Sequence, residues 1–85
     1  MREIKPGIYR HFKGNEYRVL GIAKSSEDFE ERFVVYYPLY ETEGEDKMNV
    51  RPLAMFAEEI ERDGKRMERF QLIQELPGID ELLED

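Results

Sequence analysis

Turn residues cut this chain into short pieces, and that punctuation limits what it can fold into. Pro6-Gly7, Lys13-Gly14-Asn15-Glu16, Gly44, Asp63-Gly64 and Pro77-Gly78 fall between brief runs that mix apolar and polar side chains. Short alternating runs fenced by Gly, Pro, Asn and Asp specify antiparallel strands joined by tight turns. Residues 8–12, 17–23 and 32–37 read as the first three strands, the third being the most apolar and central. In the first, Ile8 and Phe12 fall on one side, Tyr9 and His11 on the other. Gly21 inside the second predicts a bulge, or a bend where another part of the chain comes close.

Residues 24–31 read as a loop in which Ser25 and Ser26 favour capping. Pro38 marks the end of pairing on the third strand. Residues 41–47 read as an acidic, solvated tip, and 48–51 as a short fourth strand. Pro52 suits the first position of a single helical turn over 53–56, because its missing N–H would be unpaired there. Asp63-Gly64 is the strongest hairpin signal, joining 58–62 to 65–69. Residues 70–73 extend that last strand or follow a kink.

These elements predict a mainly β fold: a small SH3-like barrel of five to six short antiparallel strands, with one short helical turn. Closure into a barrel removes exposed edges. Residues 1–75 form the barrel domain. Residues 76–85 form a short tail, helical or disordered, with Ile79, Leu82 and Leu83 on one side. In an alternative reading the tail is a partner-binding element, and its leucines drive self-association.

Composition then excludes chemistries. With 85 residues, only about 60–65% of the unfolded surface is buried on folding; the core is thin. The chain has no cysteine, so it has no disulfide, thiolate nucleophile or Cys-based zinc site. It has one histidine, His11, too few for a triad or a typical histidine metal site. The acidic runs lack EF-hand spacing and the glycines form no phosphate-cradling loop. No cofactor is expected, and no metal. No segment approaches the ~20 apolar residues of a membrane span, and the N-terminus has no apolar signal region. The expected compartment is the cytoplasm, with no membrane partner. Net charge is −7, which opposes nonspecific binding to polyanions, yet residues 1–24 are locally basic.

The residues of the strands also resemble a known family. The run Pro6-Gly7-Ile8-Tyr9-Arg10-His11-Phe12-Lys13-Gly14-Asn15-Glu16-Tyr17 is similar to the opening signature of the bacterial domain-of-unknown-function 1653 family. The resemblance continues in Val34-Val35-Tyr36, Leu39-Tyr40, Val50-Arg51-Pro52-Leu53, Met55-Phe56, Asp63-Gly64 and Arg69-Phe70, spanning roughly residues 5–73. It implies a small SH3-type barrel and no assigned activity. Two positions depart from the family's pattern: Ser25 stands where a His is usual, and Asn49 where a Trp is usual before Val-Arg-Pro.

The candidate site is an aromatic and basic face. Tyr9, Tyr36 and Tyr40 are amphipathic, and His11 and Arg51 supply polar and cationic groups. This set is expected to bind a protein, peptide or small ligand, as aromatic grooves do. Burial of ligand apolar surface on the tyrosines would supply affinity, and Tyr36→Ala would abolish binding while sparing the fold. Phe12, Phe33, Phe56 and Phe70 are expected in the core. An alternative is single-stranded nucleic acid held by a basic patch of Arg10, Lys13 and Arg18. A carboxylate-based hydrolase ranks last, because the acids sit in loops and turns; no catalytic residue is assigned.

Overall fold

The computed structural model describes residues 3–28, 30–41, 43–44 and 46–79. Its described residues form seven strands and one helical turn. These are β1 (Gly7–His11), β2 (Glu16–Lys24), β3 (Arg32–Pro38), β4 (Asn49–Pro52), α1 (Leu53–Phe56), β5 (Glu59–Arg62), β6 (Lys65–Glu68) and β7 (Phe70–Glu75). The mainly β, antiparallel fold with a single helical turn before the last hairpin is as the sequence predicts. There are more strands than the five to six expected, because the last strand breaks at Arg69. β5 and β6 pair only with each other, while β7 crosses to β1.

The larger sheet has the order β4-β3-β2-β1-β7, with β2 rather than β3 in the middle. Among the described residues it does not close into a barrel: β4 and β7 remain its edges. The break before β7 has a visible cause. The Arg69 amide donates to the Glu58 carbonyl and its carbonyl accepts from Phe12 N–H, both at 3.0 Å. Arg69 thus bonds to the residues that flank β5 and β1.

Turn chemistry follows residue type. Asp63 and Gly64 both have positive φ (54° and 77°), the backbone a two-residue hairpin with native twist requires. The β1–β2 turn is closed by His11 N–H to Asn15 O at 2.8 Å and Gly14 N–H to His11 O at 2.7 Å. The bulge predicted at Gly21 is present: the β2–β3 register shifts between Val19 and Gly21. A side chain at Gly21 would meet Ile79 Cγ2 at 3.3 Å. Pro52 ends β4 and caps α1, one residue before the helical position expected of it. Ser25 Oγ accepts from the Glu27 and Asp28 amides, both at 3.2 Å; among the described residues no helical turn follows it, so these bonds close a turn within the loop.

The core is aromatic. Tyr9, Tyr36, Phe56 and Phe70 are buried with Ile4, Val19, Val34 and Ala57. Phe56 and Phe70 stack at 4.2 Å with planes 4° apart, and Tyr9 meets Phe56 edge-on at 5.3 Å. Phe12 and Phe33 are only half-buried, so the four phenylalanines do not all belong to the core.

Residues 76–79 lie against the sheet. Leu76 N–H donates to Pro6 O at 3.2 Å, and Arg18 Nη2 donates to Pro77 O. Of the apolar tail triad only Ile79 is described; Leu82 and Leu83 lie outside the described residues. No described helix is long and apolar enough to cross a membrane.

Candidate ligand-binding site

Three tyrosines from neighbouring segments converge on one cleft. Tyr17 lies on β2 and Tyr36 on β3, both on the face that carries Val19 and Val34 into the core. Val19 is paired with Tyr36, and Tyr17 with Pro38. Tyr40 follows β3 in a loop held to β2 by the bond from Leu39 N–H to Glu16 O at 3.0 Å. The Tyr17 ring meets Tyr36 at 5.6 Å and Tyr40 at 5.7 Å, with planes 79° and 80° apart. Edge-to-face contact of this kind suits the ring quadrupoles. The Tyr17 and Tyr40 hydroxyls lie 3.2 Å apart. Burial, then the Tyr40 hydroxyl bond, pushes the Tyr17 phenol up to about 12; at neutral pH it is a hydrogen-bonding group.

The cleft has a volume of about 370 Å³, and Pro38, Asn49 and Arg51 join the tyrosines in lining it. Glu43, Asp46 and Lys47 close the loop side. Arg51 sits opposite Val34 in the β3–β4 ladder, so it points to the core face. Its guanidinium carbon lies 5.4 Å from the centroid of Phe70. His11 reaches the same ring from β1, edge-on at 4.9 Å. Phe70 therefore joins the histidine and the arginine to the tyrosine cluster, since Tyr17 also packs on it at 5.7 Å.

The imidazole of His11 is held in its neutral form. Its Nδ1 accepts from Lys13 N–H at 3.1 Å, and protonation would remove that acceptor. Partial burial lowers its pKa first, and the positive charges of Arg69, Arg51 and Lys13 lower it further. The stability consequence follows from the sign. The folded-state value lies below the ordinary 6.5, so the unfolded chain takes up the proton first as pH falls. The contribution of neutral His11 is present above pH 6.5 and is lost as pH drops through the folded value. A proton-NMR titration should give a His11 midpoint below 6.5. The slope of unfolding free energy just below that pH should flatten in His11→Gln. A midpoint at or above 6.5 would contradict the arrangement of cations around the ring.

Of the five residues expected at the site, Tyr36, Tyr40 and Arg51 come together in the cleft, and His11 stands beside them across Phe70. Tyr9 does not join them. It is 2% exposed, and its hydroxyl donates to Lys5 O at 2.7 Å and accepts from Lys5 N–H at 3.0 Å. Its ring therefore offers no surface to a ligand. Tyr36 is 6% exposed, so Tyr36→Ala would disturb the core as well as the cleft wall. Tyr17, not among the residues expected from sequence, is central to the cleft. Its signal was its parity with Val19, which places it on the inner face of β2.

The basic patch does not converge. Arg10 donates to Glu16 Oε2 through Nε at 3.1 Å and Nη2 at 2.8 Å. Arg18 donates to Val19 O and Pro77 O, and Lys13 lies over the Phe12 ring at 5.8 Å. A second, larger groove of about 880 Å³ runs between the β5–β6 hairpin and Arg10, Phe12 and Gln71. Arg10 and Arg66, which line it, are paired with Glu16 and Glu59. Among the described residues no group of three or more His, Asp or Glu side chains is placed to hold a metal ion.

An open antiparallel sheet with an added hairpin and a tyrosine cleft defines a small, mainly β domain. The chain belongs to the family described as "Protein of unknown function (DUF1653)", whose profile matches residues 7–72. It is similar to a crystal structure of a DUF1653 protein from Bordetella bronchiseptica. The two share 34% identity over 89% of this chain and 95% of that one, with a TM-score of 0.77. No curated protein matches the chain.

Proposed function

We propose that this domain is a non-catalytic binding module that takes a peptide, a protein segment or a small ligand in the tyrosine cleft. One observation carries this. Three tyrosine rings, set nearly at right angles in two pairs, line a single cleft in which Tyr40 remains 44% exposed. Aromatic walls supply apolar contact at low conformational cost, and hydroxyls with a few charged groups give orientation. The volume of about 370 Å³ falls in the range of small-ligand sites, about 300–1,000 Å³. The larger groove is a poorer candidate, because two of its cations already have carboxylate partners. The separate engagements of Arg10 and Arg18 give no support to a nucleic-acid surface there.

The test is a ¹⁵N–¹H amide titration with pooled peptides, metabolites and single-stranded oligonucleotides. Shifts should cluster at Tyr17, Tyr36, Tyr40 and Arg51. Tyr40→Ala should weaken binding about tenfold, the effect of losing one aromatic contact, and leave the free spectrum otherwise unchanged. Shifts confined to residues 59–71 would move the site to the larger groove and overturn this reading.

A further inference from the structure

The charges around Phe70 are unbalanced in a way that points to the chemistry of the ligand. Arg51 is half-buried, and its guanidinium lies over an aromatic ring. Among the described residues it has no carboxylate in ion-pair range. A guanidinium carries five donors, and a ring face satisfies none of them as a hydrogen bond. Withdrawing such a charge from water without a counter-ion is unfavourable. Arg69 sits at the junction into β7. Its Nη2 reaches Glu58 Oε2 at 3.4 Å, but its Nε is buried and has no partner among the described residues. His11 on β1 and Lys13 in the following turn complete the group. The charged groups around His11 are thus Arg51 from β4, Arg69 from the β6–β7 junction and Lys13 from its own hairpin, with Glu58 drawn to Arg69. Glu43 and Asp46 line the same cleft but form no ion pair with Arg51, so Arg51, held over the Phe70 ring, is the lining group suited to negative charge.

We propose that the Arg51 end of the tyrosine cleft is an oxyanion subsite. The Arg51 fork, with the His11 imidazole across Phe70 from it, holds a carboxylate or phosphate of a ligand whose planar or apolar part lies on Tyr17 and Tyr40. This rests on the binding-module reading and adds the charge of the ligand to it. Arginine suits this task because its paired N–H groups match two oxygens of one anion. An anion bound there also stabilises the imidazolium, so its arrival raises the His11 midpoint.

The experiment uses the whole chain and four probes: inorganic phosphate, phenyl phosphate, N-acetylphenylalanine and its neutral amide. Amide shifts, the Arg51 Nε resonance and the His11 midpoint are followed together. The expected result is that the anionic probes move Arg51 Nε and raise the His11 midpoint. N-acetylphenylalanine should bind about tenfold more tightly than its amide, as charge-assisted hydrogen bonds do. Arg51→Gln should remove that preference, while Arg66→Gln should not. If phenyl phosphate binds more tightly than the carboxylate, the natural group is a phosphate; the reverse order assigns a carboxylate. Equal binding of acid and amide, with shifts at Tyr17 and Tyr40, overturns the subsite and spares the cleft. No response at Arg51, His11 and Tyr40 to any probe counts against both. Arg51→Gln also has a readout in the free protein: loss of the facing charge should raise the His11 midpoint. An unchanged midpoint in a folded variant overturns the grouping.

Discussion

Phe70→Ala should lower the unfolding free energy by about 3–5 kcal/mol, the cost of emptying a large aromatic site that cannot collapse. A domain of this length has roughly 4–13 kcal/mol in total, so the loss is a large share of what holds it together. The ring is 1% exposed and sits at the centre of the packing. Phe56 covers one face at 4.2 Å. His11, Tyr17 and Tyr36 approach at 4.9, 5.7 and 6.3 Å, and Arg51 lies over it. Removing the ring leaves Phe56 without its stacking partner and the Arg51 guanidinium without its support. Phe12→Ala is the comparison. Phe12 is half-buried, and its ring faces Lys13 and Arg62 at 5.8 and 5.6 Å. Its loss should cost about 1 kcal/mol, closer to a surface change. Urea denaturation of both variants checks the ranking. Equal midpoints would mean that Phe70 is not the centre of the core.

The local elements were legible because each depends on neighbours in sequence. Asp63-Gly64 supplies two positive-φ residues in a row, and Gly21 bulges within its own strand. Leu53–Phe56 turns where Pro52 ends a strand. The strand parity of β1 was also legible: Tyr9 and His11 do share a face. Which face is the core was not. Ile8 and Phe12 are the more apolar pair, yet the Tyr9 side turns inward. It does so because the Tyr9 hydroxyl finds both backbone groups of Lys5, which removes the cost of burying it. That satisfaction depends on how residues 3–6 lie, and residue type does not state it. The same blindness placed Tyr9 in the candidate site and overlooked Tyr17, whose role needs the β2–β3 register and the return of the Tyr40 loop. The crossing of β7 to β1 is a pairing between residues about sixty or more apart in sequence, from His11 with Phe70 to Gly7 with Glu75. Nothing in residues 65–75 alone distinguishes it from a longer β6. Among the described residues the β fold lacks the expected closure for a related reason: whether β4 and β7 meet depends on accumulated bend, which no single segment specifies.

That long-range pairing is where the Pro6-Gly7 step acts, and Gly7→Ala should show it. Gly7 has φ of +155°, a conformation that L side chains rarely adopt. An added β-carbon would stand 2.1 Å from the Gln74 carbonyl oxygen and 3.1 Å from Glu75 Cα. Both are backbone atoms, so no side-chain rotation relieves the overlap; β7 must move away from β1. The strand that would move carries Phe70 and Leu72 into the core, and its register already shifts between Ile8 and Tyr9. The expected loss is on the order of 3 kcal/mol, combining backbone strain with displaced packing. Gly14→Ala separates the two contributions. Gly14 also has positive φ, at 110°, but a β-carbon there meets nothing within 4 Å. It should cost on the order of 1 kcal/mol, from backbone strain alone. Amide exchange then locates the damage: in Gly7→Ala, protection should fall first at residues 70–75 and persist between β2 and β3. Equal losses in the two variants, or exchange that rises evenly across the sheet, would mean that the β1–β7 approach is not what requires a glycine.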